Sequence, residues 1–488
     1  MTHVARAGLV ELAEPPKLGP LVNADLAPTS LEQRTWSRWH IASLWVGMSV
    51  CIPSYMLAAS MIQAGMTWVE SLAAIVLGNA IVLIPMIINA HAGTRYGIPF
   101  PVYARAAYGP RGAHVPALLR AVVACGWFGI QTWIGGLAIN ALLAYLWPGW
   151  AQLGGDWRLM GYGLPQYASF LIFWAINLWF VWAGTESIKW METLSAPFLI
   201  AMGLALLAWA MGKVGGIGAI LGQSAALTTA PRDQAGGAWL LGVFVPWLTA
   251  MVGYWATLSL NIPDFTRYAR SQADQAVGQA IGLLTTMPLF AFIGIAVTSA
   301  TVVLYGEAIW NPVDLVTRLS AEYDNPLLGI VAMFAILVAT LTTNVAANVV
   351  APANSFANLS PRRISFRAGG LIAGLLGIVI LPWKLLDMYQ GWLISYSGLL
   401  GAVGGVIICD YVVIRRGNLQ LADLYRHEGT YAYDGGVNWR AVAATAGGIA
   451  VALAGLVVPG LSFLFSGAWF SATFTSLLLY YVLMRKAS

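Results

Sequence analysis

The sequence predicts an all-α polytopic membrane protein of twelve transmembrane helices. Three observations carry that fold class: scarce charge, twelve apolar runs of spanning length, and basic residues concentrated in alternate loops. Of 488 residues, 59% are hydrophobic and 9% charged, against about 25% charged in a soluble domain. This excludes a soluble enzyme, a nucleic-acid-binding protein and a disordered chain. A spanning helix needs about 20 apolar residues, so twelve consume about 240. The hydrophobic fraction exceeds that and leaves residues for packing and loops.

Residues 1–38 are polar, mixed in charge and carry Pro15, Pro16 and Pro28. They lack the basic-then-apolar order of a cleaved signal peptide. A soluble arm is expected here, with the first span acting as its own insertion signal. Apolar runs then place spans at about 40–64, 69–92, 115–146, 166–184, 189–212, 238–262, 277–305, 326–350, 368–386, 391–414, 439–459 and 462–484. The third exceeds the bilayer thickness and should tilt. The ninth is the weakest, with Pro382 and Lys384 near its end.

Orientation follows from the basic residues. With a cytoplasmic N-terminus, the inner loops hold Arg95, Arg105, Arg111, Lys189, Arg267, Arg270, Arg362, Arg363, Arg367, Arg415, Arg416, Arg426 and Arg440, and the tail adds Arg485 and Lys486. The outer side receives Arg158, Lys213, Arg232, Arg318 and Lys384. Fifteen against five puts both termini inside a cell membrane crossed many times. The net charge of +5 therefore records topology, not affinity for nucleic acid.

Two spans, five apart, carry helix-breaking residues in mid-membrane. The first has Ser49, Cys51, Pro53 and Ser54, and the sixth Pro246, Gly253 and Thr257. Helices interrupted at corresponding positions of two halves point to a transporter site built on inverted repeats. A proline kink tolerated by neighbouring helices is the alternative.

Charge is nearly absent from the span centres. Glu70, Glu192 and Asp410 lie near span ends, and Arg120 is one turn into the third span. Intramembrane carboxylates are the usual proton relays, so their scarcity weighs against a carboxylate-driven pump and against a strongly charged substrate. The three cysteines (Cys51, Cys125, Cys409) are too scattered for a disulfide framework or metal cluster, and the five histidines form no H-E-x-x-H. No organic cofactor, nucleophile–base pair or enzyme chemistry is expected.

What remains at mid-depth is neutral. Trp127 and Gln131 are four residues apart and share a helix face, pairing a flat π surface with an amide that donates and accepts. The pair suits a planar ring edged with N–H and C=O groups; packing and interhelical hydrogen bonding are the alternatives. Trp255, in Gly253-Tyr-Trp255 of the sixth span, fits either the opposite face of such a ligand or core packing. The eighth span carries Thr342, Thr343, Asn344 and Asn348 close together. Their hydroxyls fit either back-bonding to the preceding turn or hard-oxygen coordination of a small cation.

At these residues the sequence resembles the nucleobase–cation symporter-1 family, in its branch of sodium–hydantoin, allantoin and uracil transporters. The resemblance runs from about Thr29 onward. It is carried by Gln33-Arg-Thr-Trp36, Trp45-Val-Gly-Met48, Gly93-Thr-Arg-Tyr-Gly-Ile-Pro-Phe-Pro101 with Arg105 and Gly109, Trp127-Phe-Gly-Ile-Gln131, Pro263-Asp-Phe-Thr-Arg-Tyr268, Thr342 to Asn348, and Asp410-Tyr followed by Arg415-Arg416.

The resemblance implies a LeuT-like fold of two inverted five-helix repeats (39–212 and 238–414) plus two C-terminal helices (439–484). It implies a substrate held by Trp127, Gln131, Trp255 and Asn348. It also implies sodium bound by the carbonyls of Gly47, Val50 and Ala339 and the hydroxyls of Thr342 and Thr343. Two departures stand out: Cys51 replaces a glutamine of the hydantoin transporter near the substrate, and Thr342 replaces a serine. The expected function is import of a small planar heterocycle (allantoin, hydantoin or uracil type) across the bilayer, coupled to a cation, sodium, by alternating access. A proton-coupled purine or cytosine permease and a passive facilitator are the alternatives.

Overall fold

The computed structural model describes residues 3–6, 8–183, 186–229, 239–360 and 362–485. Gly184 and Ala238, at expected span ends, lie outside the described residues together with Arg232 and Lys486, and so do the side chains of Lys189 and Glu192. Among the described residues, eight helices are long and apolar enough to cross a membrane, and two bent pairs bring the number to ten. The shorter apolar helices Leu240–Tyr254 and Phe366–Val379 occupy the expected sixth and ninth spans. Each of the twelve expected spans thus has a helix at its place.

Several ends differ from the sequence reading, each for a local reason. The second span runs past Pro85 and on to Tyr96, ending where the left-handed backbone of Gly97 (φ 67°) caps it. The ninth stops at Val379, since Leu381 turns left-handed (φ 57°) and Pro382 opens a separate helix, Pro382–Asp387. The twelfth bends by 89° at Gly467. Connecting helices outside the expected spans include Ile217–Thr229 and Pro312–Glu322. The second of them starts on Asn311, whose side chain accepts from the Val313 N–H, with proline at a position where the lost donor costs nothing.

The N-terminal arm, read as soluble from its composition, is bound to the folded body. A hairpin, His3–Arg6 with Leu9–Leu12, leads to Arg34, whose buried guanidinium donates to the carbonyls of Val10, Thr29, Thr94 and Arg95. Burial lowers its pKa to about 10, so it stays charged near neutrality. Arg105 donates to the Leu21 carbonyl, Arg267 to that of Asp25, and the Tyr425 hydroxyl to that of Leu26. Backbone carbonyls satisfied by buried arginines hold the arm far more firmly than its composition suggests.

Packing divides the spans into two groups. The first, second and seventh pack on one another with the sixth against the second, and the third, fourth, eighth and ninth pack on one another. The tenth lies against the sixth and also packs on the last two spans. The interrupted helices therefore belong to one group and the Trp127 helix to the other.

Candidate substrate and cation sites

The first span breaks between helices Arg38–Ser49 and Ile52–Gln63, which meet at 58°. Pro53 has no N–H to give the Ser49 carbonyl, as a continuous helix requires. The Cys51 N–H bonds to Ser49 O instead, and the Ser54 N–H to Cys51 O. The carbonyls of Gly47 and Val50 are left without those helical donors. Cys51 itself is extended (φ −149°, ψ 160°).

The sixth span is interrupted at Trp255 (φ −98°, ψ 1°), between helices Val245–Tyr254 and Ala256–Asn261. Pro246 lies nine residues earlier, inside the helix Leu240–Tyr254 and directly after its π turn Leu240–Phe244, so the interruption is not at the proline. Gly253 permits close approach to the tenth span, where an added Cβ would lie 2.7 Å from the Leu393 carbonyl. That contact fixes the position from which Tyr254 and Trp255 project.

Trp127 and Gln131 lie on the 33-residue helix His114–Leu146, 5% and 4% exposed. The indole N–H of Trp127 donates to the Tyr396 hydroxyl at 3.1 Å. Tyr254, Tyr389 and Tyr396 stand nearly perpendicular to the indole, with centroids 5.3, 6.1 and 6.5 Å away. Such edge-to-face contacts favour a fixed ring orientation. The Gln131 Oε1 is buried and has no protein partner among the described residues. An unpaired buried acceptor costs about 1–3 kcal/mol, and a ligand N–H would remove that cost.

Trp255 reaches this cage through Tyr254. Its ring lies 4.8 Å from Tyr254 and 5.1 Å from Trp45, edge-on to both. Cys51 joins from the other broken helix, its Sγ lying 3.4 Å from the Tyr254 hydroxyl. Asn348 is tied in by a buried amide chain. It donates to Asn344 Oδ1 at 3.0 Å, and the Asn344 amide reaches Thr132 Oγ1 and Asn177 Oδ1, each at 3.1 Å.

The eighth-span hydroxyls adopt the back-bonded arrangement. Thr342 and Thr343 both donate to the Ala339 carbonyl at 3.0 Å. Three neutral oxygens are thereby gathered on one helix face. The eighth span packs against the first span on both sides of its break, where the Gly47 and Val50 carbonyls are freed. Hard, uncharged oxygens of this kind suit a monovalent cation such as sodium, and the donor set fits. Among the described residues, no group of three or more His, Cys, Asp or Glu could hold a metal.

Arg120 is buried one turn into the third span and donates to Asn261 Oδ1 at 3.1 Å, linking it to the end of the sixth span. Sequence reasoning noted the charge but not the partner. It also missed Ser54, Tyr389, Tyr396 and Asn344 as parts of the site. Asn344 carried a signal, one turn before Asn348 on the same face, whereas the tyrosines of the tenth span carried none.

A broken helix meeting an intact one at an aromatic cage, between two groups of four helices, defines a membrane transporter that works by alternating access. Residues 28–471 match the family model described as permease for cytosine/purines, uracil, thiamine and allantoin, and the chain belongs to that family. The purine-uracil permease NCS1 of Arabidopsis thaliana is 44% identical over 449 residues, 90% of this chain and 71% of that one. The allantoin permease of Bacillus subtilis is 42% identical over 468 residues, 95% and 93% of the two chains. Among solved structures, the nucleobase-cation-symport-1 family transporter Mhp1, closed with bromovinylhydantoin bound, superposes with a TM-score of 0.77 at 28% identity, covering 96% of each chain. The chain is accordingly a permease and not an enzyme, with the twelve-helix, LeuT-like architecture of two inverted repeats and two further helices.

Proposed function

We propose that this permease is a secondary active symporter that imports a neutral, planar cyclic amide of the allantoin, hydantoin or uracil type, driven by sodium. It resides in the plasma membrane with both termini cytoplasmic, in keeping with the fifteen-to-five distribution of basic residues. The observation that carries the reading is the Trp127–Gln131 face: an indole held in place by Tyr396, beside an amide oxygen with no partner among the described residues. A flat ring with an N–H edge stacks on the first and satisfies the second. Trp255, Asn348 and Cys51 complete the binding set.

Sodium is cargo in this reading. The oxygens of Ala339, Thr342 and Thr343, with the carbonyls of Gly47 and Val50, would hold it at the junction of the two helix groups. A ligand shifts the equilibrium between two conformations only by its differential affinity for them. An ion contacting both groups favours the form in which they lie together, and substrate contacting both does the same. Each must then tighten the other's binding by the same factor.

The test is uptake of labelled allantoin, hydantoin and uracil by proteoliposomes under a sodium gradient, a proton gradient, or neither. Accumulation above the external level under sodium alone is expected. Accumulation under protons alone would replace the ion, and equilibration without accumulation under either gradient would reduce the protein to a facilitator.

A further inference from the structure

Tyr254 lies where the two tryptophans of the proposed substrate site are joined. Its ring touches Trp127 at 5.3 Å and Trp255 at 4.8 Å. Its hydroxyl lies 3.0 Å from Ser54 Oγ, and Cys51 Sγ lies 3.2 Å from Ser54 Oγ and 3.4 Å from the Tyr254 hydroxyl. All three residues are buried. They come from the two interrupted helices, Cys51 and Ser54 from the start of one half-helix and Tyr254 from the end of another.

Two physical consequences follow. First, each member of the triangle has one hydrogen to donate and lone pairs to accept. The triangle satisfies itself, and it can also exchange any one of its contacts for a ligand N–H or C=O without leaving a member unpaired. An apolar group large enough to part the triangle cuts a hydroxyl or thiol off from both of its partners and supplies none in exchange. Second, the protein's own phenol ring stands edge-on to both Trp127 and Trp255. A site built to hydrogen-bond a substrate group discriminates strongly against an analogue lacking it, whereas an apolar pocket discriminates weakly.

We propose that Tyr254, acting with Ser54 and Cys51, is the specificity-determining group of this permease, selecting cyclic amides whose substituent carries N–H and C=O groups over rings bearing an apolar arm. The inference rests on the substrate site proposed above. Allantoin, a hydantoin with a ureido arm, represents the favoured class; bromovinylhydantoin, the ligand held by the solved relative, represents the disfavoured one. Unsubstituted hydantoin reports the ring site alone.

The experiment displaces labelled hydantoin from the purified full-length protein with each of the other two compounds. In the unaltered protein allantoin should compete better than bromovinylhydantoin by about tenfold or more. Tyr254→Phe keeps the ring and should lose that preference. Ser54→Ala, made from the other helix, should act in the same direction. Tyr254→Gly should improve bromovinylhydantoin. An unchanged order of competitors in Tyr254→Phe and Ser54→Ala overturns the inference while leaving the ring site standing. If hydantoin fails to bind, or binds equally well to Trp127→Ala, the ring site itself is wrong and this inference falls with it.

Discussion

Asn348 donates its side-chain amide to Asn344, one turn earlier on the same helix, at 3.0 Å. Asn344 in turn spans the gap to the third span, where Thr132 accepts from it, and to the fourth, where Asn177 does. A residue proposed to touch substrate is therefore oriented by one that does not. Asn344→Ala should weaken substrate binding by about tenfold or less, the net worth of one such hydrogen bond being about 0.5–1.5 kcal/mol. It should also lower the thermal midpoint. Equilibrium binding and a melting curve check both, and full affinity in the variant would mean that Asn348 needs no such support.

Trp127 presents the flat surface, and its loss should be the most damaging single change in the cage. Aromatic stacking on a planar base is worth about 1–3 kcal/mol in nucleic-acid binders. Trp127→Ala is thus expected to weaken binding about tenfold or more, with Trp127→Phe intermediate. Titration of the purified variants with substrate decides it.

Tyr396 accepts the Trp127 indole N–H and so fixes the tilt of that ring. Tyr396→Phe preserves the aromatic contact and removes only the acceptor. Leaving a buried donor unpaired costs about 1–3 kcal/mol. The expected result is a lower melting temperature together with weaker substrate binding, while sodium dependence persists. A variant with unchanged affinity would show that ring packing alone positions Trp127.

Thr343 shares the Ala339 carbonyl with Thr342. Thr343→Ala removes an oxygen without disturbing backbone or charge, and Thr343→Ser restores it. Sodium stimulation of uptake should vanish in the first and return in the second. Equal stimulation in both would move the ion elsewhere.

Arg34 anchors the N-terminal arm through four backbone carbonyls. Each charge-assisted contact is worth about 1.5–3 kcal/mol, so Arg34→Ala should release the arm. Limited proteolysis should then clip residues 1–38 much faster than in the parent, with the spans intact. Equal cleavage rates would assign the anchoring to Arg105, Arg267 and Tyr425.

How much was legible varied with the range of the interactions. The Trp127–Gln131 pair stood out because residues four apart share a helix face, and because an amide at mid-membrane needs a partner. Pro53 announced the first break, since a missing N–H has a local effect. Pro246 pointed to the sixth span but not to the position of its break, since it sits by the π turn Leu240–Phe244 while the interruption falls at Trp255. Tyr254 was visible beside Trp255, yet no spacing could say that its hydroxyl meets Ser54 of another helix.

By itself the sequence determined a twelve-span bilayer protein with almost no fixed charge at mid-depth, so its ligands must be met by rings, amides and hydroxyls. Those are properties of composition and of periodicities a few residues long. Only the tertiary structure decided that three tyrosines surround Trp127, that Thr132 and Asn177 of two other spans hold the Asn344 that supports Asn348, and that Arg34 ties the soluble-reading arm to the second span. Each of these joins residues far apart in the chain, and such contacts depend on how helices cross and rotate. That is settled by packing of whole faces, which no local pattern records.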